Sequence, residues 1–82
     1  MTGWVKIAGL GPGSEDLITP EVNYALTQST DVVGYVAYIA RIKSRKGLTL
    51  HASQNRVELE RAKEALRLAT NGCKVVVVSS GD

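Results

Sequence analysis

The stretch Trp4-Val5-Lys6-Ile7-Ala8-Gly9-Leu10-Gly11-Pro12-Gly13 passes from an apolar, β-branched run straight into glycine and proline. Residues 4–10 are nearly continuous in apolar side chains, which predicts a short strand buried on both faces. Gly11-Pro12-Gly13-Ser14 belongs only to a loop. A strand that ends in glycine at its carboxyl end puts pliable backbone where open α/β sheets bind ligands. The alternative is a turn that merely demands small residues, and the stretch alone leaves both readings open.

Working outward, a helix starts at Thr19, a good N-cap, with Pro20 at the first helical position and Glu21 in the first turn. Val22, Ala25 and Leu26 share one face, and the helix is expected to fail near Ser29-Thr30. Asp31-Val32-Val33-Gly34 reads as a second strand. Tyr35, Tyr38, Ile39 and Ile42 have helical spacing over barely two turns. Leu48-Thr49-Leu50 reads as a third, brief strand. A longer helix begins at Asn55, which with Glu58 resembles a capping box. Leu59, Ala62, Leu66 and Ala69 are expected to line its packed face. Arg56 with Glu60, and Arg61 and Arg67 three residues after Glu58 and Glu64, add helix-surface pairs. Asn71-Gly72 supplies a left-handed C-cap. Val75-Val76-Val77-Val78 then reads as a central parallel strand.

Strands alternating with helices define an α/β class with a parallel sheet. Ser79-Ser80-Gly81-Asp82 leave the last strand at its carboxyl end, where a crossover helix is expected next. The reading is therefore a partial domain over residues 1–82, with a C-terminal part absent.

Length and composition bound the rest. Eighty-two residues suffice for one small domain, and 44% hydrophobic with 22% charged residues argues against wholesale disorder. A formal charge of +2 is too small to argue for nucleic acid. Arg41, Lys43, Arg45 and Lys46 form one basic cluster, read either as a solvated loop or as an anion contact. The single cysteine, Cys73, excludes an internal disulfide and a multi-thiolate metal site, and no metal is expected. No signal peptide is evident, and no apolar run nears the ~20 residues of a membrane helix. The expectation is a soluble, cytoplasmic protein that binds neither membrane nor nucleic acid. His51 is expected on the surface or in a loop, and Cys73 to be inert.

Two phosphate-binding motifs can be tested against the glycines. The dinucleotide fingerprint requires a third glycine where this chain has Ser14, and a helix that starts at once rather than at Thr19. Pro12 also removes an amide that would face a pyrophosphate. A P-loop requires Gly-Lys-Ser/Thr, which is missing. What remains is a longer loop at the end of the first strand. The loop at Ser79 to Asp82 leaves the same sheet edge if the two strands are parallel.

Val5 to Gly13, followed by Asp16-Leu17-Ile18-Thr19-Pro20, resembles the opening signature of the tetrapyrrole methylases, S-adenosylmethionine-dependent enzymes of corrin and sirohaem synthesis. Val77-Val78-Ser79-Ser80-Gly81-Asp82 resembles the start of their second signature, a Gly-Asp-Pro loop. Asp31 to Tyr35 with Tyr38, and Asn55 to Ala69, are most similar to the branch that methylates precorrin-3B at C(17). The resemblance covers nearly the whole chain. It implies the N-terminal domain of a two-domain, homodimeric methyltransferase of cobalamin biosynthesis, with its site in a trough between domains. By the same resemblance, Gly11, Pro12 and Gly13 line the tetrapyrrole side, and Gly81 and Asp82 begin the loop that approaches S-adenosylmethionine. The basic cluster then gains a role in pairing with substrate carboxylates.

Relatives acting on uroporphyrinogen carry an aspartate just after the second strand; here the region reads Gly34-Tyr35-Val36. Tyr35 and Tyr38 thus stand as candidate catalytic groups, or as packing aromatics. The 82 residues alone are expected to lack turnover. The rival readings are a nucleotide-binding α/β module and a non-catalytic assembly module.

Overall fold

A computed structural model of the chain describes residues 2–11, 19–54 and 58–79. Its elements run β1 (Trp4–Gly9), α1 (Pro20–Gln28), β2 (Asp31–Tyr35), α2 (Val36–Ile39), β3 (Thr49–Ser53), α3 (Glu58–Thr70) and β4 (Lys74–Ser79). The strands form one parallel sheet in the order β1-β4-β2-β3. The α/β parallel-sheet expectation therefore holds.

The valine run behaves as its composition demands. β4 lies between β1 and β2, and Val75 and Val76 are fully buried. Because side chains alternate along a strand, Val76 and Val78 face one side of the sheet and Val75 and Val77 the other. The first side packs against Ala25 of α1 and against Ile39 and Ile42 in and after α2. The second packs against Ala65 and Leu68 of α3. Gly34 of β2 pairs with Val78 of β4. A Cβ there would stand 2.6 Å from Val78 Cγ2 and 3.1 Å from Val78 O, so the strand pairing itself excludes a side chain.

The local signals at the helix ends are borne out. Thr19 Oγ1 accepts the Val22 amide at 3.2 Å, with Pro20 beginning the helix. Gly72 adopts φ 93°, and the Cys73 and Gly72 amides close back on Leu68 O and Ala69 O as a Schellman turn. Arg67 and Glu64 pair on the surface of α3. The Asn55 cap and the Arg56–Glu60 pair lie outside the described residues.

Three expectations are corrected. Residues 4–10 form an edge strand rather than one buried on both faces: Lys6 is exposed, and Ile7 is 80% exposed. Apolar content records a preference for burial; it does not say whether a strand is central or at an edge. The packed face of α3 is Ala65 and Leu68 with the expected Ala69 beside them, while Leu59 and Leu66 are exposed. Ala65 packs with Val33 and Val75, while Ala62 and Leu66 lie beside this contact and line a groove with Val5, Ile7 and Val77 of the sheet. The third strand spans Thr49–Ser53 rather than Leu48–Leu50.

His51 is likewise neither in a loop nor solitary. It lies on β3, and its Nε2 sits 2.7 Å from Asp31 Oδ2 at the start of β2. The Thr30 hydroxyl donates to Asp31 Oδ1 at 2.6 Å and itself accepts the Lys74 amide at 3.0 Å. Burial would raise the Asp31 pKa, but hydrogen bonds from Thr30, His51 and Cys73 outweigh it and hold the carboxyl below its ordinary value. Partial burial and the neighbouring Asp31 carboxylate push the Cys73 thiol up, away from the reactive thiolate.

A carboxyl with a depressed folded-state pKa stabilises the fold above its unfolded value and loses that contribution as pH falls through the folded one. Urea midpoints are expected to hold steady above about pH 5 and to fall below about pH 4. Asp31→Asn should lower the neutral-pH midpoint and flatten the acid arm. Identical acid slopes in the two proteins would contradict this assignment.

Candidate functional site

All four strands being parallel, their carboxyl ends share one edge. Gly9 of β1 pairs with Ser79 of β4, and the Leu10 amide donates to Ser79 O at 2.9 Å. The two chain segments read as converging loops therefore leave adjacent strands side by side. At the other half of the edge, Tyr35 pairs with Ser53. The helix following β2 lies on one sheet face and the helix following β3 on the other. The chain thus diverges between those two strand ends, the geometry that opens a ligand crevice in α/β sheets.

Gly11 has φ 71°, the left-handed region that favours glycine, and a Cβ built there would meet nothing within 4 Å. Among the described residues the glycine is required by backbone conformation and not by crowding. Of the other residues expected to line substrate or methyl donor, Pro12, Gly13, Gly81 and Asp82 lie outside the described residues.

Tyr35 and Tyr38 stand at the same edge, their rings 5.7 Å apart between centroids and edge to face at 68°. Tyr35 is at the margin of exposure, while Tyr38 is half-buried and packs against the first core cluster. Tyr38 also helps line a groove of about 490 Å³ with Val5, Ile7, Arg61, Leu66 and Ser79. Its floor is apolar, and its carboxyl-edge end carries a phenol, a serine and a guanidinium. A broad apolar ligand with polar groups at its rim suits such a groove. Arg61 NH1 donates to Ser53 Oγ at 3.1 Å, so α3 is tied to the end of β3.

The basic cluster, read either as a solvated loop or as an anion contact, divides in the structure. Arg45 NH2 donates to the carbonyls of Leu26, Thr27 and Ser29, closing the C-terminal end of α1. Arg41 reaches the glycine loop instead: NH1 donates to Gly11 O at 2.7 Å and NH2 to Leu10 O at 3.3 Å. Its Nε is buried without a partner among the described residues, an omission that costs about 1–3 kcal/mol. Lys43 and Lys46 are exposed. Sequence reasoning grouped these four residues by charge. The signal that separates Arg41 is its position, one turn beyond Tyr38 and flanked by the buried Ile39 and Ile42.

Among the described residues no group of three or more His, Cys, Asp or Glu is placed to hold a metal, and no helix is long and apolar enough to cross a membrane.

An α/β domain with a glycine-lined ligand edge at paired strand ends is the class these features define. No family model matches the chain. It is similar, however, to the cobalamin biosynthesis protein CobIJ of Mycobacterium tuberculosis, at 45% identity over 82 residues, covering 100% of this chain and 16% of the relative. It is 43% identical over 82 residues to the precorrin-3B C(17)-methyltransferase of a Sinorhizobium species, covering 32% of that enzyme. The crystal structure of the methyltransferase CobJ superposes with a TM-score of 0.93 and 64% identity, over 99% of this chain and 34% of that one. The homologues are methyltransferases and proteins of cobalamin biosynthesis, so the resemblance to tetrapyrrole methylases is borne out. The chain spans a third or less of the length of these relatives.

Placing a β-carbon at a left-handed residue costs about 1–2 kcal/mol. Gly11→Ala is expected to lose that much in chemical denaturation and no more, because the space is open. A loss above about 3 kcal/mol would mean the Cβ meets packed atoms.

Proposed function

We propose that the complete gene product containing this chain is an S-adenosylmethionine-dependent C-methyltransferase of cobalamin biosynthesis, acting on precorrin-3B at C(17) with contraction of the macrocycle. The observation that carries the proposal is the 64% identity to a methyltransferase, extending over 99% of this chain and both glycine-containing strand ends. In this reading the chain is part of an N-terminal α/β domain, and a second domain completes the trough of a cytoplasmic homodimer. Precorrin-3B is favoured over cobalt-factor III as substrate because identity is 43% to the Sinorhizobium enzyme named for the former. It is 36% to the Salmonella typhimurium protein described as a probable cobalt-factor III C(17)-methyltransferase.

The methyl donor, when bound, supplies an already electrophilic carbon on a sulfonium. What the protein must add is alignment of two reactants and control of protons on the ring. Gly11, with Pro12 and Gly13, offers backbone without side chains against which a flat macrocycle can lie. Ser79 leads into Gly81 and Asp82, proposed to approach the methyl donor beside it. Tyr38, with Tyr35 edge-on to it, would hold or relay a proton at its phenol oxygen, in the region where the relatives acting on uroporphyrinogen carry an aspartate.

The test is transfer of label from methyl-labelled S-adenosylmethionine to precorrin-3B by the complete gene product, with cobalt-factor III and no acceptor as parallel arms. Label at C(17) of the precorrin is expected. Transfer only to cobalt-factor III would reassign the substrate, and no transfer to either, with both ligands shown to bind, would overturn the reading. Residues 1–82 alone are expected to give none.

A further inference from the structure

The geometry points to Arg41 as a positioning residue that fixes the start of the glycine loop, at Leu10 and Gly11, from across the sheet edge, with no carboxylate partner among the described residues. The inference rests on the methyltransferase reading for its kinetic consequence, but the tether itself does not.

Three observations carry it. First, the guanidinium spends two donors on consecutive carbonyls, Leu10 O and Gly11 O, about thirty residues away in sequence. In a trans peptide the N–H points opposite to the C=O, so turning the Leu10 carbonyl toward Arg41 turns the Gly11 amide toward the other side. The arginine thereby sets which way the Leu10–Gly11 peptide faces. Second, the base of the arginine is rigid. Ala40, Arg41 and Ile42 donate their amides to Val36, Tyr38 and Ile39 carbonyls, and Ile39 and Ile42 are buried in the core. The same short segment presents Tyr35 and Tyr38, so one anchored piece of chain sets both the tyrosines and the loop opposite them. Third, the arrangement is poor if stability were its purpose. The Nε–H is buried and unpaired, and among the described residues the ion pairs are His51–Asp31 and Arg67–Glu64, with no carboxylate on Arg41. Departures from local satisfaction of this kind concentrate at functional positions. A half-buried cation that among the described residues meets only carbonyl dipoles also favours an anionic ligand beside Gly11.

The test uses the complete gene product as wild type, Arg41→Met, which keeps the stem and removes the fork, and Arg41→Lys, which keeps the charge. Steady-state kinetics are read separately for the tetrapyrrole and for S-adenosylmethionine. Hydrogen exchange is followed across the β1–α1 connection and, as a control, across β4. Arg41→Met is expected to raise the KM for the tetrapyrrole about tenfold or more while leaving that for the methyl donor unchanged, since displacement of a binding element by an ångström can cost a hundredfold. Exchange should quicken in the connection and stay slow in β4. Arg41→Lys should recover part of the KM effect, because one ammonium can reach one carbonyl but cannot span two.

Unchanged tetrapyrrole KM together with unchanged exchange in Arg41→Met would overturn the proposal. So would parallel changes in both KM values with faster exchange throughout β4, which would make the residue structural only. If Arg41→Met fails to fold, the KM split and local exchange of Arg41→Lys decide. If the wild type transfers no methyl group, the functional reading fails, while the exchange comparison still judges the tether.

Discussion

The insertion of β4 between β1 and β2 is the constraint on which the other features depend, because it fixes the sheet's register and both of its faces at once. Val75 and Val76 lose all contact with water, one toward α3 and one toward α1 and α2. Full burial of such a side chain is worth about 1.5–3 kcal/mol, and the neighbouring β2 is covered the same way, with Val32 and Val33 buried on opposite faces. The pairing of Gly9 with Ser79 follows from that register, and it brings the two loops expected to line the site to adjacent strand ends. The close approach of Gly34 to Val78 belongs to the same pairing on the other flank.

The two ends of the sheet are built differently. At the amino end, Thr30, Asp31, His51 and the Lys74 backbone close on one another, and hydrogen bonds from three directions keep Asp31 ionised despite burial. At the carboxyl end the polar groups are turned toward backbone and open space: Arg41 on the glycine-loop carbonyls, Arg61 on Ser53, and Tyr35 and Tyr38 against each other. The amino end is thus closed by mutual hydrogen bonds, and the carboxyl end is the one proposed to hold substrate. His51, the one histidine, thus belongs to the sheet's fastening at the end away from the glycine loop.

Much of this was legible in the residues themselves. The valine run, the Thr19-Pro20 start and the Asn71-Gly72 stop are signals of local covalent and hydrogen-bonding geometry, so they survive any tertiary context. The convergence of the β1 and β4 ends was legible because parallel strands end at one edge. What escaped depends on who neighbours whom. β1 reads like a central strand because hydropathy does not reveal strand order. α3 carries two apolar stripes, and only the fit of Ala65 to Val33 and Val75 selects the buried one. Arg41 and Arg45 are alike in charge and close in sequence, yet one holds the glycine loop and the other the end of α1. The Asp31–His51 contact joins residues twenty apart and leaves no periodic trace.

The measurement closest to the central claim is a crystal structure of the complete gene product with a tetrapyrrole and the demethylated donor bound. The account predicts the macrocycle against Gly11 and Tyr38, at the carboxyl ends of β1 and β4, with the donor beside Ser79. A macrocycle seated at the amino end of the sheet, near Asp31 and His51, would contradict it.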